Sequence, residues 1–479
     1  MTRIAAHIAA VHVAAGMLLL MVGDPALADT RFEPSLTLGV VYIDNLGLAP
    51  PDQPQESDFT AQVTPRIFAS RQGARFTGVL DYSRRFLYFR DHPQLNSSYG
   101  NGNANGLWTV MPNALFLEGR LSNDQQVIDP SAPRNVDNLF DVRNVSTVVS
   151  SRLAPYFKRD FGAVTALLRY SWGWDRYGKL STDAQNTALQ DSETRLVIAR
   201  VATSDQGRRV VWSAGGQSLR STFDTAAEFR ADRVSADMGV MLVRGLRVMA
   251  TVGEETDLRK GFGQGGLDAG SWLAGFSYTP SDASSLVVKA GRRYFGNTYA
   301  LDVKREGRVV KLDASYTEDP TTDGVFGALV DVVPGELDVP EILAVTSVLR
   351  NTFEPYLRKQ FSARMRLVGV RTEVALTGYS VRREYLAGTD VGRRDLTRAA
   401  QFSIARTMTP RDSLRLSAQY DNVSLRDGPG NHGFLDSLAY SHVLSRTLVL
   451  DATVNHMDRG GSLRYRANFG GLSIRKVFK

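Results

Sequence analysis

A single stretch, Gly162 to Tyr177, constrains what this chain can fold into more than any other. Its even positions carry Val164, Ala166, Leu168, Tyr170, Trp172 and Trp174, and its odd positions carry Thr165, Arg169, Ser171, Gly173 and Asp175. That alternation is the period of a β-strand with one oily and one wet face. A strand in a soluble domain runs about 5 to 6 residues, whereas one that crosses a bilayer needs about 9 to 11 and ends its apolar face in aromatic rings. This stretch has both the length and the rings. A lone copy would fit a soluble sandwich better, so the weight of the argument falls on repetition.

The pattern does repeat. A first strand is expected over Ser35 to Asp44, followed by a proline-rich loop. Hairpins then pair 59–70 with 74–89, 96–111 with 114–125, 143–158 with 162–177, 186–203 with 208–222, and 228–242 with 246–257. Trp272, Ala274, Phe276 and Tyr278 mark the next apolar face. Strands 284–294 and 298–305 are expected to turn at Gly296-Asn297, and Glu318 to Val345 forms the longest break. From Pro355 the alternation resumes and runs to Phe478. Short turns alternate with longer loops throughout, as they do when one side of a membrane carries tight turns and the other carries exposed loops. The turns at Glu306-Gly307 and Gly369-Val370-Arg371 therefore place the Glu318 to Val345 loop on the outer side.

Composition fits a membrane sheet. The chain has 479 residues, 43% of them hydrophobic, and after its first thirty positions no apolar run long enough for a spanning helix. A mean hydropathy of -0.20 looks soluble, but alternating wet and oily residues cancel in any running average. A membrane sheet cannot leave an edge, because an unpaired backbone group in hydrocarbon costs several kcal/mol. The expected fold is therefore all-β: a single large antiparallel transmembrane β-barrel of about 22 strands, within a range of about 18 to 22, its even number putting both termini in the periplasm.

Residues 1–28 read as a secretory signal peptide, with Arg3, an apolar run from Ala14 to Val22, and Ala26-Leu27-Ala28 as the cleavage site. The barrel domain is then 29–479. Cysteine is absent, which excludes disulfides, thiolate metal sites and cysteine nucleophiles. The formal charge of +7 is spread over scattered arginines with no basic cluster interleaved with stacking aromatics, so no nucleic-acid partner is expected.

From Pro34 onward the chain resembles the outer-membrane β-barrel family associated with PEP-CTERM and exosortase systems. The resemblance rests on TLGVVYIDNLGLAP, VTPRIFASRQGARFTGVLDYSRRFLYFRD, RRYFGNTYALD and SVRREYL. It implies location in the cell outer membrane of a Gram-negative bacterium and a link to exopolysaccharide loci. Barrels of this type end on an aromatic residue read by the assembly machinery, and Phe478 fills that place one residue before Lys479.

Catalytic constellations are weak. Ser441 and His442 are neighbours on one strand, as are Asn455 and His456, so each pair splits between opposite faces. Glu254, Glu255 and Asp257 read as a solvated rim, and no calcium-loop spacing occurs. No enzyme, metal or cofactor is expected. The wet parity is more informative, because it puts Arg169, Arg247, Lys311, Asp313, Arg358, Arg364, Arg366 and Arg415 on the inner wall, arginine outnumbering acid. Such charges either pair across strands as filler or line a hydrated conduit that favours anions. The expected function is a porin-like or export channel associated with exopolysaccharide secretion. Its expected partners are outer-membrane lipid, the barrel-assembly machinery, and polysaccharide or small anionic solutes. The alternatives are a non-conducting structural or assembly barrel and a secreted all-β carbohydrate-active protein.

Overall fold

The computed structural model describes residues 29–127, 133, 135–142, 144–178, 191–204, 207–224, 228–260, 266–321, 355–387, 391–425, 430–461 and 464–478. The proposed signal segment, 1–28, lies outside the described residues. Strand β1 (Asp29–Ile43) is followed by β2 (Asp58–Gln72) and β3 (Phe76–Phe89), then β4 (Ser97–Met111) and β5 (Leu115–Val127). Next come β6 (Val145–Asp160), β7 (Val164–Tyr177), β8 (Ser192–Thr203), β9 (Val210–Phe223), β10 (Phe229–Val243) and β11 (Leu246–Glu255). The sheet continues through β12 (Ala269–Ser281), β13 (Ser284–Arg293), β14 (Gly296–Glu306), β15 (Val310–Thr321), β16 (Tyr356–Val368) and β17 (Thr372–Tyr385). It ends with β18 (Arg394–Thr407), β19 (Asp412–Leu425), β20 (Asn431–Ser445), β21 (Leu448–Gly460) and β22 (Tyr465–Val477).

All 22 strands form one sheet, each antiparallel to its neighbours in sequence. Pairing of Ser35 through Ile43 with Phe469 through Val477 closes β1 on β22, so the sheet has no free edge. The fold is a closed 22-stranded antiparallel β-barrel, as the alternation required.

Register sorts every strand into two faces. On β7 the outward set includes Leu168, Tyr170 and Trp172, which are 54%, 40% and 37% exposed. Val252, Trp272, Phe361, Leu416, Val454 and Leu472 continue that apolar surface around the barrel. Ten short turns, from the one after β2 to the one after β20, lie with both strand ends Asp29 and Val477 at one end of the barrel, and the other connections, mostly longer but only two residues after β13, lie at the opposite end. By the usual topology of these barrels the turn end is periplasmic and the loop end faces outward.

Among the boundaries that differ from expectation, three have a visible cause. Strand β1 starts at Asp29, because Asp29 through Pro34 pair with Ile67 through Gln72 of β2. Pro34 is tolerated there because it stands one step beyond the last β1–β22 pair, where its carbonyl accepts from Phe478 N–H at 2.8 Å and only the reciprocal bond is forgone. The turn after β13 is Tyr294-Phe295 rather than Gly296-Asn297, since Gly296 alone can take φ +123° at the start of β14. Glu318 to Thr321 belong to β15 rather than to the long break, held by the Arg293 guanidinium on the Glu318 carbonyl at 3.1 Å and on Asp319 at 3.4 Å. The rest of that segment lies outside the described residues.

Candidate functional site in the barrel lumen

The inward face is where chemistry can gather. All eight charged residues expected there stand on the parity opposite the exposed apolar side chains, though they do not form one group. Lys311, Asp313, Arg364 and Arg366 come together on β15 and β16, where register sets Lys311 beside Arg366 and Asp313 beside Arg364. Lys304 of β14 lies opposite Asp313 on the other side. Arg366 is ion-paired with Glu373 at 3.0 Å and Lys311 with Glu306 at 3.0 Å. Arg358 stands nearer the loop end between Asp319 and Arg383.

The other three are far apart. Arg169 is 4% exposed, paired with Glu118 at 3.0 Å and placed over the Tyr156 ring at 5.6 Å. Arg247 donates to the backbone carbonyl of Arg208 at 3.3 Å. Arg415 is exposed between Ala405 and Ala439. A polar recess of about 300 Å³ opens on the wall of β1 to β4, lined by Thr37, Thr64, Ser83, Asn101 and Asn103 together with the Arg66–Asp81 ion pair at 2.5 Å.

Sequence reasoning missed what the loops do. The β1–β2 loop carries Leu46 and Leu48, and the β5–β6 loop carries Leu139 and Phe140, all under 6% exposed. They pack on inward residues of the wall, including Ile43, Leu87, Met457 and Phe469, so both loops fold into the outer end of the barrel. A backbone bond from Asp141 N–H to the Leu46 carbonyl at 2.9 Å ties the two together. Asn45, fully buried, donates to the carbonyls of Ala49 and Arg466 at 2.9 and 2.8 Å. Leu48, Asp137 and Asn138 hold positive φ near 52 to 55°, a strained backbone that persists only where surroundings over-determine it.

The β11–β12 loop does the same over the neighbouring strands. Leu258 packs with Tyr294 against Leu196, Leu219 and Phe229, which face inward from β8, β9 and β10. Beneath it Glu255 and Arg293, 3% and 7% exposed, form a bidentate ion pair with contacts of 2.9 and 2.5 Å. This corrects the expectation of a solvated rim at Glu255 and Asp257. Asp257 is also largely buried, and the Arg259 guanidinium at 2.5 Å holds its carboxyl below the usual range. The apolar pairs Leu46/Leu48 and Leu139-Phe140, inside otherwise polar loops, were the available signal.

His92, in the loop after β3, fastens this end further. Its backbone N–H and ring Nδ1 meet the buried Asp58 carboxylate at 3.1 and 2.9 Å, and Glu56 lies 3.3 Å from Nε2. The Asp58 carboxylate raises the imidazole pKa above its ordinary value. A raised histidine stabilises the folded loop fully below the free value, about 6.5, and loses that contribution as pH rises through the raised one. Proteolytic clipping of the β1–β2 loop near Asp52 is therefore expected to accelerate as pH rises from about 6 to about 8. His92→Gln should be cut at one rate across that range; an unchanged pH response in this variant would remove His92 from the fastening.

Ser441 and His442 fall on opposite faces, as expected. Ser441 donates inward to Asp451, while His442 Nδ1 meets Asp412 on the outward side at 2.7 Å.

No protein-family model matches the chain, and no curated protein matches it. Solved structures similar to it include the siderophore receptor PirA from Pseudomonas aeruginosa, with TM-score 0.47 and 9% identity over 94% of this chain and 81% of that one. OccK2 (OpdF) from the same species, in complex with glucuronate, gives TM-score 0.36 and 11% identity over 94% and 98%. OmpT, an outer membrane protein of Vibrio cholerae, gives 0.31 and 9% over 95% and 99%. At such values the assignment stands on the barrel itself. A closed even-numbered sheet with an apolar outer belt, aromatic rings along it and both strand ends at the tight-turn end belongs to a Gram-negative outer membrane. The chain is an outer-membrane β-barrel protein.

Proposed function

We propose that the barrel is a channel for hydrated solutes with a preference for anions, narrowed at its outer end by the inward-folded loops. The observation that carries this reading is the charged, arginine-weighted inner wall continuing toward the periplasmic end, away from the loop clusters, through Arg247, Lys311, Arg364, Arg366 and Arg415. Around 22 strands the wall is wide enough to hold water as well as side chains.

The finer reading is service to exopolysaccharide secretion. Its supports are the family resemblance and the recess, whose asparagine amides and hydroxyls suit a sugar's hydroxyl groups. The proposed partner of the last strand is the barrel-assembly machinery, with Phe478 47% exposed. We read the barrel as non-enzymatic, since its serine and histidine neighbours diverge. A second reading, a plugged structural or assembly barrel, is favoured by the two loop clusters.

Planar-bilayer recording separates the two. The channel is expected to conduct and to prefer anions. Replacing Arg358, Arg364 and Arg366 with glutamate should shift preference toward cations while leaving insertion intact. A silent bilayer would favour the plugged barrel, and unchanged selectivity would make the three arginines filler.

A further inference from the structure

Some charges on the outer surface are balanced locally. Register aligns Arg195, Arg220 and Arg230 outward across β8, β9 and β10, and Glu193 and Asp232 neutralise the two flanking members at 2.6 and 2.8 Å. A group on β16 to β18 is not balanced in this way. Lys359 lies directly opposite Arg382, Arg394 opposite Glu384, and Arg398 two outward positions along. Among the described residues four cations face two carboxylates, Glu384, which is ion-paired to Lys359 at 3.0 Å, and Glu318, which register sets opposite Lys359. The nearby Glu318 accepts from the Tyr316 hydroxyl at 2.5 Å. Arg382, Arg394 and Arg398 are all exposed. Their parity is outward, shared with Leu376 and Phe402, which are 46% and 38% exposed.

Position along the strand identifies the layer they meet. From Arg398 toward the periplasm the outward residues of β18 are Ala400, Phe402 and Ile404, and then Arg406 beside the turn. Those eight steps span about 27 Å of strand at ~3.4 Å each, or about 20 Å along the membrane normal at a tilt of ~40°, close to the ~25 Å apolar band of such barrels. Arg398 thus stands at the outer edge of the band, with Arg382 and Arg394 beyond it. Cations set side by side repel unless an anion bridges them, and guanidinium forks match phosphate oxygens two at a time.

We propose that Arg382, Arg394 and Arg398 bind the phosphate groups of an outer-leaflet glycolipid against the outside of the barrel. A lipid rather than free phosphate fits because the apolar surface at Phe402 and Phe361 runs directly below the cluster and would take the acyl chains. The site lies outside the lumen, so it stands whether or not the barrel conducts.

The test uses the full-length protein in non-ionic detergent, mixed with lipopolysaccharide bearing a bisphosphorylated lipid A and read by native mass spectrometry. Wild type is expected to retain the glycolipid, and a variant with Arg382→Gln, Arg394→Gln and Arg398→Gln to lose about tenfold or more in affinity. A variant with Arg195→Gln, Arg220→Gln and Arg230→Gln should bind as wild type does. Equal retention by wild type and the first variant would overturn the proposal. Wild-type protein supplies a second measurement that does not depend on any variant folding: dephosphorylated lipid A should compete poorly. Equal competition by it, or by inorganic phosphate at the same concentration, would also overturn the assignment.

Discussion

Arginine at Leu472 is expected to cost the barrel about 2 to 4 kcal/mol, the range for a cation at the bilayer midplane. Leu472 is 63% exposed and lies level with Val40 of β1 and Ala452 of β21, in the middle of their outward apolar runs. Met238, 54% exposed, occupies the same depth on β10 between Trp212 and Ala250. The two sites are far apart on the wall, so their costs should add. Together they remove about 4 to 8 kcal/mol, a large part of the ~5 to 15 kcal/mol that holds a typical domain folded. The double variant should therefore lose its compact heat-modifiable band in electrophoresis. Thr453→Arg is the inward control, with Gly471 and Ala439 leaving it room on either side. It should assemble as wild type does, and the reverse pattern would mean that the faces are inverted.

That experiment probes what was legible in the sequence. Leu448, Leu450, Ala452 and Val454 alternate with Asp451, Thr453 and Asn455, and a period of two fixes both strand and face without reference to any other segment. The strand count follows from repeating this reading, and closure follows from the cost of an edge in lipid. The alternation fails where the inner face is not wet. Between Thr194 and Val201 the sequence leaves the face ambiguous, because Leu196 points inward to meet Leu258 while Val197 points outward to lipid. An apolar loop lying on the wall makes both sides of the strand oily and erases the period.

Contacts between strands two apart on the inner wall were hidden for a different reason. Arg169 with Glu118, and Arg293 with Glu255, depend on register between strands and on loop paths, neither of which a single strand's pattern encodes. Thus Glu255 looked like a rim residue from its place beside a loop, whereas the incoming β11–β12 loop buries it. The arginines of the inner wall were found as a set because parity alone places them. Their division into paired and exposed members, Arg366 against Arg415, appeared only with the neighbouring strands in place.

Unfastening the outer loops is expected to enlarge the conducting path. Phe140 is the residue to change, because its ring meets Phe469 of the wall edge-on at 5.4 Å and is 4% exposed. Truncating a buried phenylalanine costs about 3 to 5 kcal/mol where the structure cannot collapse to fill the space. Here the loss falls on a loop already strained at Asp137 and Asn138, which the Asn135 side chain holds through bonds to the Phe140 and Val142 carbonyls at 3.0 and 2.9 Å. Combining Phe140→Ala with Leu46→Asp puts a charge into the same cluster, while the strand ladder is untouched. Both loops should then leave the wall, and single-channel conductance in planar bilayers should rise several-fold with the heat-modifiable band preserved. A folded variant whose conductance equals wild type would place the constriction elsewhere. A variant that conducts where wild type is silent would instead make these loops the plug of a closed barrel.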